Sequence, residues 1–507
     1  MNASKQDNDS PPSRRTPADA FVDGTATSSD SSETELAANI GVKGWWSSPG
    51  GPGPLLSIAL PLMISAGFFS ITLFTDRMLL YWYSEAAASA AMSGGSVYWT
   101  LVCLPMGLLG YISTFVAQYR GSGEVEKIGS AYRHAIRLAW CVVPLFAFCI
   151  FIAPTLFDSA GHSPALSRLE SNYLRIVLVG GFGVLFYSVQ SGLLTGHERT
   201  ATVLAIDGIA TALNLLLDFV LIFGWGPIPA FGLAGAAIAT TVSFWIKVPI
   251  AHWVIHRDST LTDTYRIASH HPWDRDIIRR LVVFGGPAGL QMLAEAACFT
   301  VILLQVGKLG ELEMAATTLA LGINVLAFVP MIGLGIGVGV VVGQKLTEGK
   351  PNIAARSVMS AMLVTICYTT VFAVLLGVIP ESMVWIYRQG TPTERFEAIQ
   401  PMLIPLLRFI AAYCILDGLQ VVFVGAIKGA GDTVFVLLTT LAISVAAVLV
   451  GTLVQTYSGP SLHLWWWVIL GWIFSMASAF GLRYWSGAWK SKRVIEQSEN
   501  GSAFGSA

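Results

Sequence analysis

Charge is what this sequence has least of. Only 12% of its 507 residues are Asp, Glu, Lys or Arg, about half the ~25% usual in a soluble domain. Hydrophobic residues make up 54% and the mean hydropathy is +0.63, which excludes a soluble globular protein and leaves a polytopic helical membrane protein. A net charge of −1 offers no hold for nucleic acid and no strongly charged membrane-surface patch. Cysteine is sparse as well. Cys103, Cys141, Cys149, Cys298, Cys367 and Cys414 all lie in apolar runs with no Cys-x-x-Cys, so they read as small buried hydrophobes rather than disulfides or metal ligands. The eight histidines are scattered, and the His270-His271 pair sits in a polar loop with no metal role assigned to it. No His-Glu-x-x-His, Gly-x-Ser-x-Gly or paired Asp-x-x-Asp occurs, so neither an enzyme nor an organic cofactor is expected. Asp258, Asp263, Asp274 and Asp276, spread among Thr and Arg, read as a solvated linker. Residues 1–48 are rich in Ser, Asp, Thr and Pro and lack the basic start and apolar core of a signal peptide, which predicts a disordered tail.

What the chain has instead is apolar length. A helix crossing a bilayer needs about 20 apolar residues. Runs of that size fall at 54–80, 90–117, 131–156, 172–194, 200–225 and 231–255, then at 278–305, 312–344, 353–379, 400–427, 433–456 and 463–487. These predict an all-α protein with twelve transmembrane helices. The longest polar link divides them into an N-terminal lobe (49–256), a loop (257–276), a C-terminal lobe (277–488) and a tail (489–507). Lys and Arg favour one side. Arg120, Lys127, Arg133, Arg137, Arg199, Arg257, Arg266, Arg275, Arg279 and Arg280 fall there, as do Lys345, Lys350, Arg356, Lys428, Lys490, Lys492 and Arg493. The opposite loops hold chiefly Arg168, Arg175, Lys308, Arg388 and Arg395. That bias makes both termini and the central loop cytoplasmic.

The two sets of six repeat one another. Pro61 corresponds to Pro287. Leu-Pro-Met at 104–106, with a Gly-rich run to Gln118, corresponds to Val-Pro-Met at 329–331, with a similar run to Gln344. Gly192-x-x-x-Gly196 before Thr200 corresponds to Gly425-x-x-x-Gly429 before Thr433. Six spans per half give the halves the same starting side, so they form a parallel repeat, a plan common among secondary transporters.

Five acids interrupt the apolar runs: Asp76, Asp207, Asp218, Glu295 and Asp417. A carboxylate at the bilayer centre costs about 2.5–3.5 kcal/mol on insertion scales, so such groups face a bundle interior or a wet cavity. At about 100° per residue, Asp207, Asn214 and Asp218 share one helix face, as do Ser65, Thr72 and Asp76. Tyr413, Asp417 and Gln420 form another stripe, and Gln291 with Glu295 a shorter one. Carboxylates beside a phenol and amides offer oxygens to a small hard cation such as Na⁺, a role open to Glu295 and to Asp417. Burial equally suits such groups to exchange a proton. Asp207 lies near the basic end of its span, where water is an alternative partner. Arg77 can neutralise Asp76, and Lys247 and Arg408 are expected to snorkel or pair structurally. Gln291, Gln420 and Asp207 are candidates for a substrate cavity. With walls drawn from Phe68, Phe69, Tyr98, Trp99, Tyr187, Met292, Phe299 and Met331, such a cavity suits lipophilic organic cations.

In these residues the chain resembles the multidrug and toxic compound extrusion (MATE) family, in particular its NorM-type bacterial branch. The resemblance runs from about Leu55 to Trp485. It rests on Leu60-Pro61 with Asp76, Leu213-Asn214-x-x-x-Asp218, and Gly286-Pro287 with Glu295. Tyr413-x-x-x-Asp417-x-x-Gln420, Gly425-x-x-x-Gly429 and Asp432 complete it. The resemblance implies a V of two six-helix lobes, acting as a monomer in the inner cell membrane. Na⁺ or H⁺ entry would drive export of organic cations by alternating access. It also implies a C-lobe cation site at Glu295, Tyr413 and Asp417 and an N-lobe site at Asp76, Asn214 and Asp218. Arg77 and Asp218 depart from the branch's usual small or polar residue and Asn. A flippase for lipid-linked saccharides is the alternative; its anionic substrate would favour a basic cavity, whereas this interior is mostly acidic.

Overall fold

A computed structural model describes residues 42–159, 163–269, 271–388 and 393–495. Most of the expected disordered tail, His270 and the end of the C-terminal tail lie outside the described residues. Among those described, twelve helices are long and apolar enough to cross a membrane. They are α1 Pro52–Tyr83, α2 Ala86–Ser122, α3 Glu126–Ser159, α4 Pro164–Gly196, α5 Thr200–Phe223 and α6 Leu233–Arg257. The second set is α7 Arg275–Gly307, α8 Glu311–Thr347, α9 Pro351–Val378, α10 Phe396–Ala430, α11 Thr433–Ser458 and α12 Leu462–Trp485. Most run a few residues beyond the apolar stretch that predicts them, because intrahelical hydrogen bonding does not stop where hydropathy falls. Val42–Ser47 forms a short separate helix.

Local chemistry sets the ends. Proline, whose missing N–H costs nothing in a first turn, opens α1, α4 and α9. Asp274 caps α7 by accepting from the N–H groups of Asp276 (2.9 Å) and Ile277 (3.3 Å). Gly224 and Gly459, at φ 81° and 82°, end α5 and α11 at matching places in the repeat. Only glycine enters that region without strain.

The packing repeats as well. In the first half α1 packs on α5, α5 on α6, α6 on α4, and α4 on both α2 and α3; α7–α12 reproduce this set. The halves join through α1 on α8 and α2 on α7. That joint runs from mid-span to the basic end. A Cβ at Gly285 would lie 2.6 Å from the Leu108 carbonyl oxygen, and Gly289 faces the Leu104 carbonyl more closely still. The Tyr111 hydroxyl, at a break in α2, donates to the Lys428 carbonyl (2.6 Å). Gln118 is fully buried, donates Nε2 to the Gly429 carbonyl (2.9 Å) and accepts the Val494 N–H (2.8 Å). Val494 and Ile495, beyond the last span, are 3% and 7% exposed and sit in an apolar cluster drawn mostly from the N-lobe, with Leu281 and Ala288 of α7. The C-terminal segment thus straps one lobe to the other.

The inter-lobe loop is more ordered than a solvated linker. Leu261, Tyr265 and Ile267 are buried. Arg133 and Arg137 of α3 donate to the carbonyls of Ile267 (2.7 Å) and His271 (2.6 Å). Asp258 pairs with Arg199 (2.7 Å) and accepts from the Thr260 N–H (2.9 Å).

Candidate functional site

The predicted acids collect at separate places in the two lobes. In the N-lobe, Asp76 of α1 and Asp218 of α5 are close enough for their carboxyls to interact. The Thr240 hydroxyl of α6 donates to Asp76 Oδ2 (3.3 Å). Asp218 is 0% and Asn214 1% exposed, yet both Asp218 oxygens and both Asn214 amide atoms lack a protein partner. Buried polar atoms without partners are costly, so their concentration here marks a place prepared for a guest. Arg77 is exposed and forms no close ion pair with Asp76 among the described residues. It lies by Tyr173 of α4 as well as by Asp76. Helical spacing put Asn214 and Asp218 on one line. Thr240 and Tyr173 carried no sequence signal beyond being polar residues in their spans.

Asp207 lies three turns along α5 from Asp218 and joins neither pair of acids. It is buried and ion-paired to Lys247 of α6 (2.9 Å). The Ser65 hydroxyl of α1 donates to its other oxygen, and the Lys247 ammonium lies 5.1 Å from the centre of the Tyr187 ring.

In the C-lobe, Glu295 of α7 and Asp417 of α10 are close enough for their charges to interact. Tyr413, one turn before Asp417, is 1% exposed. Gln291 donates Nε2 to Glu295 (2.7 Å), while its Oε1 accepts from the Lys428 ammonium (3.1 Å). Lys428 counted in the sequence as a charge near the basic end; the fold turns it inward onto α7, and its two contacts fix which way the Gln291 amide points. Gln420 Oε1 is buried without a partner. Asp417 has no hydrogen bond or ion pair to a described side chain and stays half-buried, as does Glu295. Two carboxyls this near repel unless a proton or a cation stands with them.

The two sites are not symmetry mates. The offset of 226 residues that relates Pro61 to Pro287 sets Phe69, not an acid, opposite Glu295. Phe69 stacks with Trp99 at 6.3 Å, and the two are 41% and 38% exposed. The six cysteines are free thiols, with Cys141 and Cys367 exposed and four buried. Among the described residues no three His, Cys, Asp or Glu side chains gather as a metal cluster.

The MatE family model matches residues 61–220 and 287–453, more than half of the chain, once in each lobe. The chain belongs to the MATE family. Both matches begin at the paired prolines, Pro61 and Pro287, so the family's unit is the repeat seen in the packing. Among solved structures, the MATE fold here is similar to a multidrug resistance MATE family transporter in an outward-facing conformation. The match has 20% identity and a TM-score of 0.78, covering 88% of this chain and 97% of that one. It is equally similar to a MOP superfamily transporter from Pyrococcus furiosus described as having a binding pocket of reversed polarity. That match has 21% identity and a TM-score of 0.78, covering 88% and 98%. A MATE structure in the bent conformation matches at 20% identity and a TM-score of 0.75, covering 86% and 95%. One fold spans proteins described so differently that chemistry must be read from the side chains.

Proposed function

We propose that this MATE-family transporter is a cation-coupled antiporter of the NorM type, exporting lipophilic organic cations across the inner membrane with Na⁺ or H⁺ as the coupling ion. The basic end is cytoplasmic, the protein works as a monomer, and no organic cofactor takes part. The observation that carries this reading is the presence of two separate carboxyl pairs, Asp76 with Asp218 and Glu295 with Asp417, one inside each lobe and each at least half-buried. Each pair can take up a cation or a proton, because neutralising one charge relieves the repulsion between the two. Glu295, Asp417 and Tyr413 form the C-lobe coupling site, with Gln291 orienting Glu295 and Gln420 beside it. Asp76, Asn214, Asp218 and Thr240 form the N-lobe site.

The lobes meet from mid-span to the cytoplasmic end, so substrate leaves toward the far side in this state. The stacked, partly exposed Phe69 and Trp99 offer π faces to an organic cation. A flippase of lipid-linked saccharides would need basic groups free to meet phosphate. Lys247 and Lys428 are instead engaged by Asp207 and Gln291.

Efflux of an ethidium-like cation from proteoliposomes, under an imposed Na⁺ gradient and separately under an imposed pH gradient, tests the reading. Efflux is expected to follow one gradient. Efflux that follows neither rejects coupling.

A further inference from the structure

Three helices build two polar rungs in the N-lobe. The upper rung joins Asp76 of α1, Asp218 of α5 and Thr240 of α6. The lower joins Ser65 of α1, Asp207 of α5 and Lys247 of α6. The spacing is regular. Ser65 and Asp76 are eleven residues apart, as are Asp207 and Asp218. Eleven residues make just over three whole turns, a rise of roughly 16 Å, so both rungs lie on the same faces of two parallel helices. On antiparallel α6, Thr240 and Lys247 are seven residues apart, two turns in the opposite direction. Between the rungs lie Asn214 and Ser70, whose side-chain polar atoms are buried without partners. Each rung thus has oxygens from α1 and α5. They differ in what α6 supplies: a hydroxyl above and an ammonium below.

We propose that the lower rung is a second cation station of the N-lobe, filled in this state by the Lys247 ammonium. Lys247 thereby fixes how many cations are carried per substrate. A tethered ammonium gives Asp207 the positive partner its burial demands, and it cannot be delivered to the cytoplasm. Removing it leaves a buried carboxylate with the Ser65 hydroxyl, an arrangement suited to a free monovalent cation. The titratable groups that reach Asp207 among the described residues are Lys247 and Tyr187. A purely structural ion pair would lose stability when broken but would gain no new ligand.

The inference rests on the antiporter reading for its transport arm, and a binding arm stands apart from it. In proteoliposomes, the null-point potential gives the number of cations moved per ethidium-like substrate, with Na⁺ and pH gradients imposed separately. Lys247→Gln is expected to raise that number by one on the wild-type gradient. Lys247→Arg and the double variant Asp207→Asn/Lys247→Gln are expected to keep the wild-type number. An unchanged number in Lys247→Gln, or the same rise in the double variant, overturns the proposal. Wild-type protein coupled to neither gradient defeats the antiporter reading, and the binding arm then decides this one. In detergent, Lys247→Gln is expected to gain a saturable thermal stabilisation by Na⁺, or by acid in Na⁺-free buffer, that the double variant lacks. No such gain overturns the proposal. So does a Lys247→Gln protein recovered only as aggregate at every Na⁺ concentration and pH while the double variant is well folded, since a free cation should restore what the lysine supplied.

Discussion

At the scale of single residues, Glu295 and Asp417 share their site with Gln291, which is held from behind by Lys428. Replacing either acid by its amide keeps the shape and removes the charge. Glu295→Gln and Asp417→Asn are each expected to abolish coupled efflux while still reaching the membrane; wild-type transport by both would reject the C-lobe site. Gln291→Leu strands the Lys428 ammonium and removes a donor from Glu295. Hydrogen bonds to charged groups contribute about 1.5–3 kcal/mol, and a loss of that order is expected in denaturation of the purified protein. Gln291→Leu/Lys428→Met should recover part of it, as coupled neighbours do. The sequence made Gln291, Glu295, Tyr413, Asp417 and Gln420 legible because helical spacing fixes which residues share a face. It left Lys428 looking like an end-of-span charge, because spacing along one helix says nothing about the helix across from it.

At the scale of helices, the approach of α7 to α2 depends on Gly285 and Gly289 having no side chain. Overpacking such a contact costs about 1–3 kcal/mol, a five- to 150-fold shift in a two-state equilibrium. Gly289→Leu is expected to open the basic end, read as faster labelling of a cysteine placed on the basic half of α8 and as lost efflux. Close approach was invisible in the sequence, where glycine is common in membrane spans for several reasons.

The loop beneath the N-lobe has its own pH dependence. His197 follows α4 and bonds through Nδ1 to the Tyr265 hydroxyl (2.8 Å). Burial, then Arg120 and Arg199, hold its imidazole below the ordinary value of 6.5. Its folded-state value being depressed, His197 favours the fold fully above about pH 6.5. That contribution is lost as pH falls through the window below. Thermal stability is expected to drop as pH falls below about 6.5, and His197→Gln should flatten the slope. An identical slope in the variant would assign the pH dependence elsewhere.

At the scale of the whole molecule, the lobes are joined by more than helix packing. The segment after α12 stacks Trp489 on Tyr484 (5.3 Å) and buries Val494 and Ile495 against the N-lobe. Fully burying one such aliphatic side chain contributes about 1.5–3 kcal/mol. While docked, that segment bridges the lobes at the basic end and so opposes its opening. Truncation before Trp489 is therefore expected to favour the state open at the basic end, read as a longer spin-label distance between the basic ends of α2 and α8. An unchanged distance would reduce the strap to a bystander. Nothing in the sequence marked this strap, since its few apolar residues fall in a stretch that reads as a polar tail.

Hydropathy and repeated motifs determined that this chain is a twelve-helix protein in two related halves, because apolar length and turn chemistry act locally and leave a linear record. They also determined which acids must be shielded, because a carboxylate in an apolar span has no other remedy. Only the tertiary structure decided how those acids are grouped: Asp76 with Asp218, Asp207 with Lys247, Glu295 with Asp417 and, through Gln291, with Lys428. It alone decided that the lobes close at the basic end and that the C-terminal segment crosses between them. The reason is physical. Pairing energies fall off over a few ångströms, and which helices come within that distance depends on all twelve packing at once.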